Sequence, residues 1–110
     1  MAEYEHPEIG AVDVTGVLFA LSDPARLAIV RQVAGLDPGT PEPTCSSVAV
    51  DMPKSTRSHH LKVLREAGVV RMVSHGREKL IQVRRDDLDS RWPGLLDAVL
   101  GRPAPALHTV

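Results

Sequence analysis

Between Pro53 and Val83 the chain runs PKSTRSHHLKVLREAGVVRMVSHGREKLIQV, and most of its chemically capable side chains are gathered there. Lys54, Ser55, Thr56, Arg57, Ser58, His59 and His60 follow one another without a break, and Leu61 and Leu64 come directly after. Ammonium, guanidinium, hydroxyl and imidazole groups in series suit phosphates and the edges of bases. On a helix anchored by the two leucines they would form a surface shaped for a nucleic-acid groove. Bond-making chemistry has much thinner support. There is no glycine-rich phosphate loop and no carboxylate pair at a catalytic spacing, and Cys45 with His59 or His60 is the one nucleophile–base combination available. Those histidines already belong to the groove-reading run, so the chain is expected to be no enzyme and to need no cofactor.

Charge is segregated around this segment. Residues 1–23 hold Glu3, Glu5, Glu8, Asp13 and Asp23 with no lysine or arginine, a net of −5. Residues 54–85 hold nine basic side chains, Lys62 and Arg77 among them, against Glu66 and Glu78, a net of +7. Residues 86–100 return to −3, with four aspartates against Arg91. A basic block between acidic ends is the footprint of a polyanion partner even when the whole chain carries only −1.

The elements that must position these groups follow from punctuation and periodicity. Val14, Val17, Leu18 and Leu21 fall on one helical face. Ser22-Asp23-Pro24 then caps and starts a second helix, in which Leu27, Val30 and Ala34 form an inner stripe widened by Ile29 and Val33, and Gly35 is a stop. Residues 36–44 hold three prolines and form a loop, and a short helix is expected from about Cys45 to Val50. Ser55 is the expected cap of the next helix, which ends at Gly68. Val69–Ser74 and Lys79–Arg84 are the arms of a hairpin with a His75-Gly76-Arg77 tip. Leu88 belongs to a short turn, and after Pro93 a last helix presents Leu95, Leu96, Val99 and Leu100. The result is a mainly α chain with one small β-hairpin (α+β), a winged helix-turn-helix plan, with one domain over 12–100 and flexible tails at 1–11 and 102–110. The two end helices carry more apolar surface than a 110-residue monomer needs, so antiparallel packing across a two-fold axis is expected. A homodimer would set two reading helices about 34 Å apart, matching successive major grooves.

Three stretches together resemble a known family. LFALSDPARLAIVRQVAG is similar to the second-helix signature of the ArsR/SmtB repressors, PKSTRSHHLKVLREAGVV resembles their recognition helix, and SHGREKLIQV resembles their wing. The resemblance implies a homodimeric repressor that occupies a palindromic operator in double-stranded DNA. It places Lys54, Ser55, Thr56, Ser58 and His59 among the DNA-facing residues, and Arg77 at the wing contact with minor groove or backbone. Lys62 adds a further cation to the same helix. Arg57 departs from the family pattern, which has an aliphatic residue there; it either snorkels to a phosphate or is structural.

The family's sensing chemistry does not carry over. Its thiol sensors need a cysteine pair, and only Cys45 is present; the last helical segment, DDLDSRWPGLLDAVL, has no histidine. His59 and His60 diverge by about 100° on a helix and cannot share an ion. No metal site is therefore expected. The alternatives are a metal- or thiol-responsive repressor using Cys45 or dimer-assembled histidines, His6 and His108, or a winged-helix module that docks protein. With one cysteine and no apolar run near the roughly 20 residues of a membrane span, the expectation is a cytoplasmic protein with no membrane partner. No polar cluster in the sequence marks an effector pocket. A small-molecule effector stays open, and control by the protein's own abundance is slightly favoured.

Overall fold

The computed structural model of the chain describes residues 5–35 and 43–101. The expected tail at 102–110 and most of the expected loop at 36–44 lie outside the described residues. Among the described residues there are five α-helices and an antiparallel hairpin: α1 (Val14–Leu21), α2 (Pro24–Val33), α3 (Lys54–Glu66), β1 (Val70–His75), β2 (Glu78–Val83), α4 (Arg85–Arg91) and α5 (Leu95–Leu100). The order and packing are those of a winged helix-turn-helix.

The α1–α2 corner forms as its punctuation requires. Asp23 caps α2, its carboxylate accepting from the amides of Ala25 at 2.8 Å and Arg26 at 3.2 Å, while Pro24 occupies the first turn, where no donor is needed. Ser22 instead closes α1, its hydroxyl donating to the Phe19 carbonyl at 2.7 Å. The stripe expected on α2 is rotated: Arg26, Ile29, Val30 and Val33 are buried, whereas Leu27 and Ala34 are only half-buried. The α1 stripe is split, with Val17, Ala20 and Leu21 in the core and Leu18 facing outward.

α3 is pinned by Leu61 and Leu64, both buried against the core. Its N-cap is Pro53, with no side-chain capping bond, so Ser55 lies inside the first turn and does not cap as expected. The helix stops at Gly68, whose φ of +88° suits a residue without a Cβ. A Cβ there would also meet a methyl of the buried Val12 at 2.5 Å. The hairpin pairs Val70 with Val83 and Met72 with Ile81, and its buried side chains are Val70, Met72 and Ile81, with Leu80 only half-buried.

Three sequence expectations meet a different arrangement. The helix expected at Cys45–Val50 does not form; the segment is a pair of turns. Ser47 takes the Thr44 amide on its hydroxyl at 2.8 Å, a local bond that competes with a helical ladder, and Ala49 sits at a φ of +51° that no right-handed helix allows. The stretch is tied instead to β2, with Cys45 N donating to Lys79 O at 2.7 Å and Ile81 N to Pro43 O at 3.2 Å. Leu88 lies in a true helix, α4, and α5 starts at Leu95, two positions after Pro93, with Gly94 as its N-cap. Residues 5–11, assigned from the sequence to a tail, are held by arginines. Arg65 donates to the Glu5 carbonyl at 2.8 Å, Arg84 to Pro7 at 2.7 Å and Arg91 to Ile9 at 2.7 Å.

Candidate nucleic-acid interface

Seven of the eight residues selected from the sequence are exposed. Lys54, Ser55, Thr56, Ser58, His59 and Lys62 stand on the first two and a half turns of α3, and Arg77 stands at the hairpin tip beside Gly76, whose φ is +63°. A two-residue hairpin loop needs a positive φ, which glycine supplies without strain. Arg57 is the exception. It is half-buried, and its Nη1 lies 3.5 Å from the Val48 carbonyl, so its stem runs along the apolar flank of α3 toward the 45–50 turns.

His60 turns the other way from His59. It is half-buried, and its Nδ1 lies 3.4 Å from Arg26 Nη1. Arg26 is buried at 7% exposure, and it also donates to the Ala20 carbonyl at 2.7 Å and the Phe19 carbonyl at 3.4 Å. One guanidinium thus satisfies carbonyls at the end of α1 and touches α3. Asp23 lies 3.9 Å away from it. The Asp23 carboxyl is held below its ordinary value, chiefly by the Arg26 amide it accepts from, with further help from the Ala25 amide and the positive charge of Arg26.

The flank of α3 facing the hairpin closes one side of a cavity of about 300 Å³. Its apolar lining is Leu61 with the two sulfur side chains Cys45 and Met72, the thiol donating to the thioether at 3.5 Å. Its cationic lining is Lys54, Arg57, Lys62 and Arg65 from α3 and Lys79 from β2. Burial pushes the Cys45 thiol up from its ordinary value, and the charges of Lys79 and Arg57 only partly offset that. Arg65 and Lys79 were not among the residues singled out from sequence. Lys54, Ser58, Lys62 and Arg65 recur at intervals of four and three, which places them on one flank, but Lys79 reaches the site only through the fold.

Among the described residues no three histidine, cysteine or acidic side chains come together as a metal site. His6 is engaged by the Met72 amide, which donates to its Nε2 at 3.0 Å, and His108 lies outside the described residues. No described helix is long and apolar enough to cross a membrane.

A family model for a helix-turn-helix domain matches residues 21–73. The uncharacterised HTH-type transcriptional regulator YceK of Bacillus subtilis (strain 168) is 37% identical over 84 residues, spanning 73% of this chain and 79% of the relative. Among solved structures, an ArsR-like transcriptional regulator from Rhodococcus sp. RHA1 superposes with a TM-score of 0.59 at 24% identity, covering 80% of this chain and 78% of its own. The homodimeric winged helix-turn-helix DNA-binding domain of a possible ArsR-family regulator from Mycobacterium bovis gives 0.63 at 24% identity, covering 92% and 91%. The chain is a DNA-binding transcriptional regulator of the helix-turn-helix class. The two solved neighbours, at 24% identity, share its fold.

Proposed function

We propose that the protein is a cytoplasmic, homodimeric repressor that occupies a two-fold operator, reads it with α3 and the hairpin tip, and catalyses no reaction. The observation that carries this reading is the division of α3. Leu61 and Leu64 lock one face into the core, while Lys54, Ser55, Thr56, Ser58, His59 and Lys62 stay exposed on the other. Hydroxyl and imidazole groups would address base edges, and the lysines with Arg77 would address phosphates.

Pairing of two copies is supported by the apolar surface outside the core. Leu18 and Phe19 on α1 are 44% and 67% exposed, and Val14 on α1 with Leu95 and Val99 on α5 are half-buried. The Mycobacterium bovis domain of the same fold is a homodimer.

The test is a footprint on the promoter nearest the protein's own gene, with affinity followed by fluorescence anisotropy. A protected site with two-fold symmetry is expected, and the affinity should fall by orders of magnitude between about 50 and 200 mM salt. Salt-independent association, or a footprint without symmetry, would speak for a protein-docking role or a monomeric reader.

A further inference from the structure

The cavity beside α3 has a composition that contact with a DNA backbone does not account for. Its cations come from two elements, four on one flank of α3 and Lys79 on β2, and the described residues that line it include no carboxylate. Its floor is apolar and polarisable, with Leu61 and Met72 buried and the Cys45 thiol against the Met72 sulfur. A phosphodiester passing over the helix would satisfy the cationic rim and leave the floor bare. A ligand with both an anionic group and a compact apolar body would satisfy both. The volume, about 300 Å³, stands at the small end of the range for ligand clefts.

We propose that this cavity binds a small organic anion, a carboxylate or phosphate monoester with an aliphatic or aromatic body, and that occupancy competes with DNA. The anionic group would lie between Lys79 and the α3 cations, and the body over Leu61, Met72 and Cys45. The competition rests on the repressor reading given above, because Lys54 and Lys62 line the cavity and also belong to the surface assigned to DNA. The binding itself does not rest on it. An occupied cavity neutralises cations that would otherwise displace counterions from DNA, so ligand lowers DNA affinity and flattens its salt dependence. By reciprocity, DNA weakens the ligand by the same factor. No polar cluster stands together along the sequence to mark such a pocket. The cluster here is assembled from residues 45, 54–65, 72 and 79, far apart along the chain.

The experiment uses DNA-free protein and two probes, octanoate and phenyl phosphate, with inorganic phosphate as the control for charge alone. In amide-resolved NMR titrations, a probe should shift residues 45–46, 57–62, 72 and 79 saturably in the millimolar range or below, and inorganic phosphate should not. Cys45→Phe, which fills the floor, and Lys79→Glu, which reverses the charge across from α3, should each abolish the shifts while keeping a folded spectrum. If one variant does not fold, the other decides. With operator DNA, a bound probe should raise the apparent Kd about tenfold or more in the native protein and leave the Cys45→Phe complex unchanged. Absence of saturable shifts with both probes would overturn the proposal. So would equal shifts with inorganic phosphate, or binding that survives in every folded variant. Saturable binding with no effect on DNA would overturn the competition. A protein that binds no duplex at all would fail the repressor reading, and the NMR titration would still decide the cavity.

Discussion

Arg26 Nη1 lies 3.4 Å from His60 Nδ1, joining the Asp-Pro-x-Arg corner to α3, the helix proposed to face DNA. The rest of the guanidinium holds the carbonyls of Phe19 and Ala20. Arg26→Ala would leave the Ala20 carbonyl without its side-chain donor, while the Phe19 carbonyl keeps the Ser22 hydroxyl and amide, and the expected loss of stability is about 1–3 kcal/mol by urea denaturation. His60→Ala removes that tie at a half-buried position outside the surface proposed for DNA. It should weaken operator binding while leaving the slope of log affinity against log salt unchanged, whereas Lys62→Ala should reduce that slope by about 1. A reduced slope in His60→Ala would place that side chain at a phosphate instead.

The same corner gives a pH dependence of definite sign. Folding lowers the Asp23 carboxyl below its ordinary value of 3.8, the Arg26 amide being the main cause. The folded state therefore binds this proton less readily than the unfolded chain. The stabilisation is complete above the ordinary value and is lost as pH falls through the lowered one. Asp23→Asn keeps a good capping residue and removes the titration. The native protein should have the higher Tm at pH 7, and the difference should shrink below about pH 4. A Tm difference that stays constant from pH 7 to pH 2.5 would contradict the assignment.

Gly68→Ala should be severely destabilising. The site demands a φ of +88°, which costs an L-residue about 1–2 kcal/mol, and the new methyl would fall 2.5 Å from a Val12 methyl, adding about 1–3 kcal/mol of overpacking. The expected loss is at least about 2 kcal/mol. Val12→Ala in the same background should restore part of it. A double variant no more stable than Gly68→Ala would show that the clash is not the source.

These positions also show what the sequence could and could not disclose. Asp23-Pro24 and Gly68 were legible because capping and positive φ are local demands, written in one or two residues. The N-terminal half of α3 was legible because an unbroken polar run followed by Leu61 and Leu64 has a helical period. The 43–53 stretch was not legible. Its turns are held by Ser47 and by pairing with β2, and the Gln32 side chain accepts the Ala49 amide from another helix. Residues 5–11 have no periodic pattern at all, because Arg65, Arg84 and Arg91 hold their backbone carbonyls and select no side chains. The cavity was hidden for a similar reason, since Cys45, Met72 and Lys79 meet only after the hairpin packs.

Cys45 should react slowly. Burial raises its thiol above the ordinary value, so less thiolate is present near neutrality than for an exposed cysteine, despite Lys79 and Arg57 nearby. Alkylation by iodoacetamide at pH 7 should run well below the rate of a free thiol, and the rate should keep rising at a pH where a free thiol has levelled off. A rate equal to or above that of glutathione would mean that the two cations outweigh burial.

The dimer can be tested only at residues outside the monomer core, which removes an otherwise natural choice. Leu96, on the last apolar helix, is 2% exposed within a single chain, so Leu96→Asp would unfold the protein whether or not it pairs. Leu18 is different: at 44% exposure it contributes little to the core, and it stands beside Phe19 on the outer side of α1. Leu18→Asp should leave the monomer folded, because the carboxylate stays in water there. In a dimer it would bury an uncompensated charge at the seam, at a cost of several kcal/mol. Sedimentation should therefore show a dimer for the native protein at micromolar concentration and a folded monomer for Leu18→Asp, with weaker operator binding because the two half-sites are no longer engaged together. A native protein that sediments as a monomer would refute the dimer, and a Leu18→Asp variant that stays dimeric would place the subunit contact elsewhere than on α1.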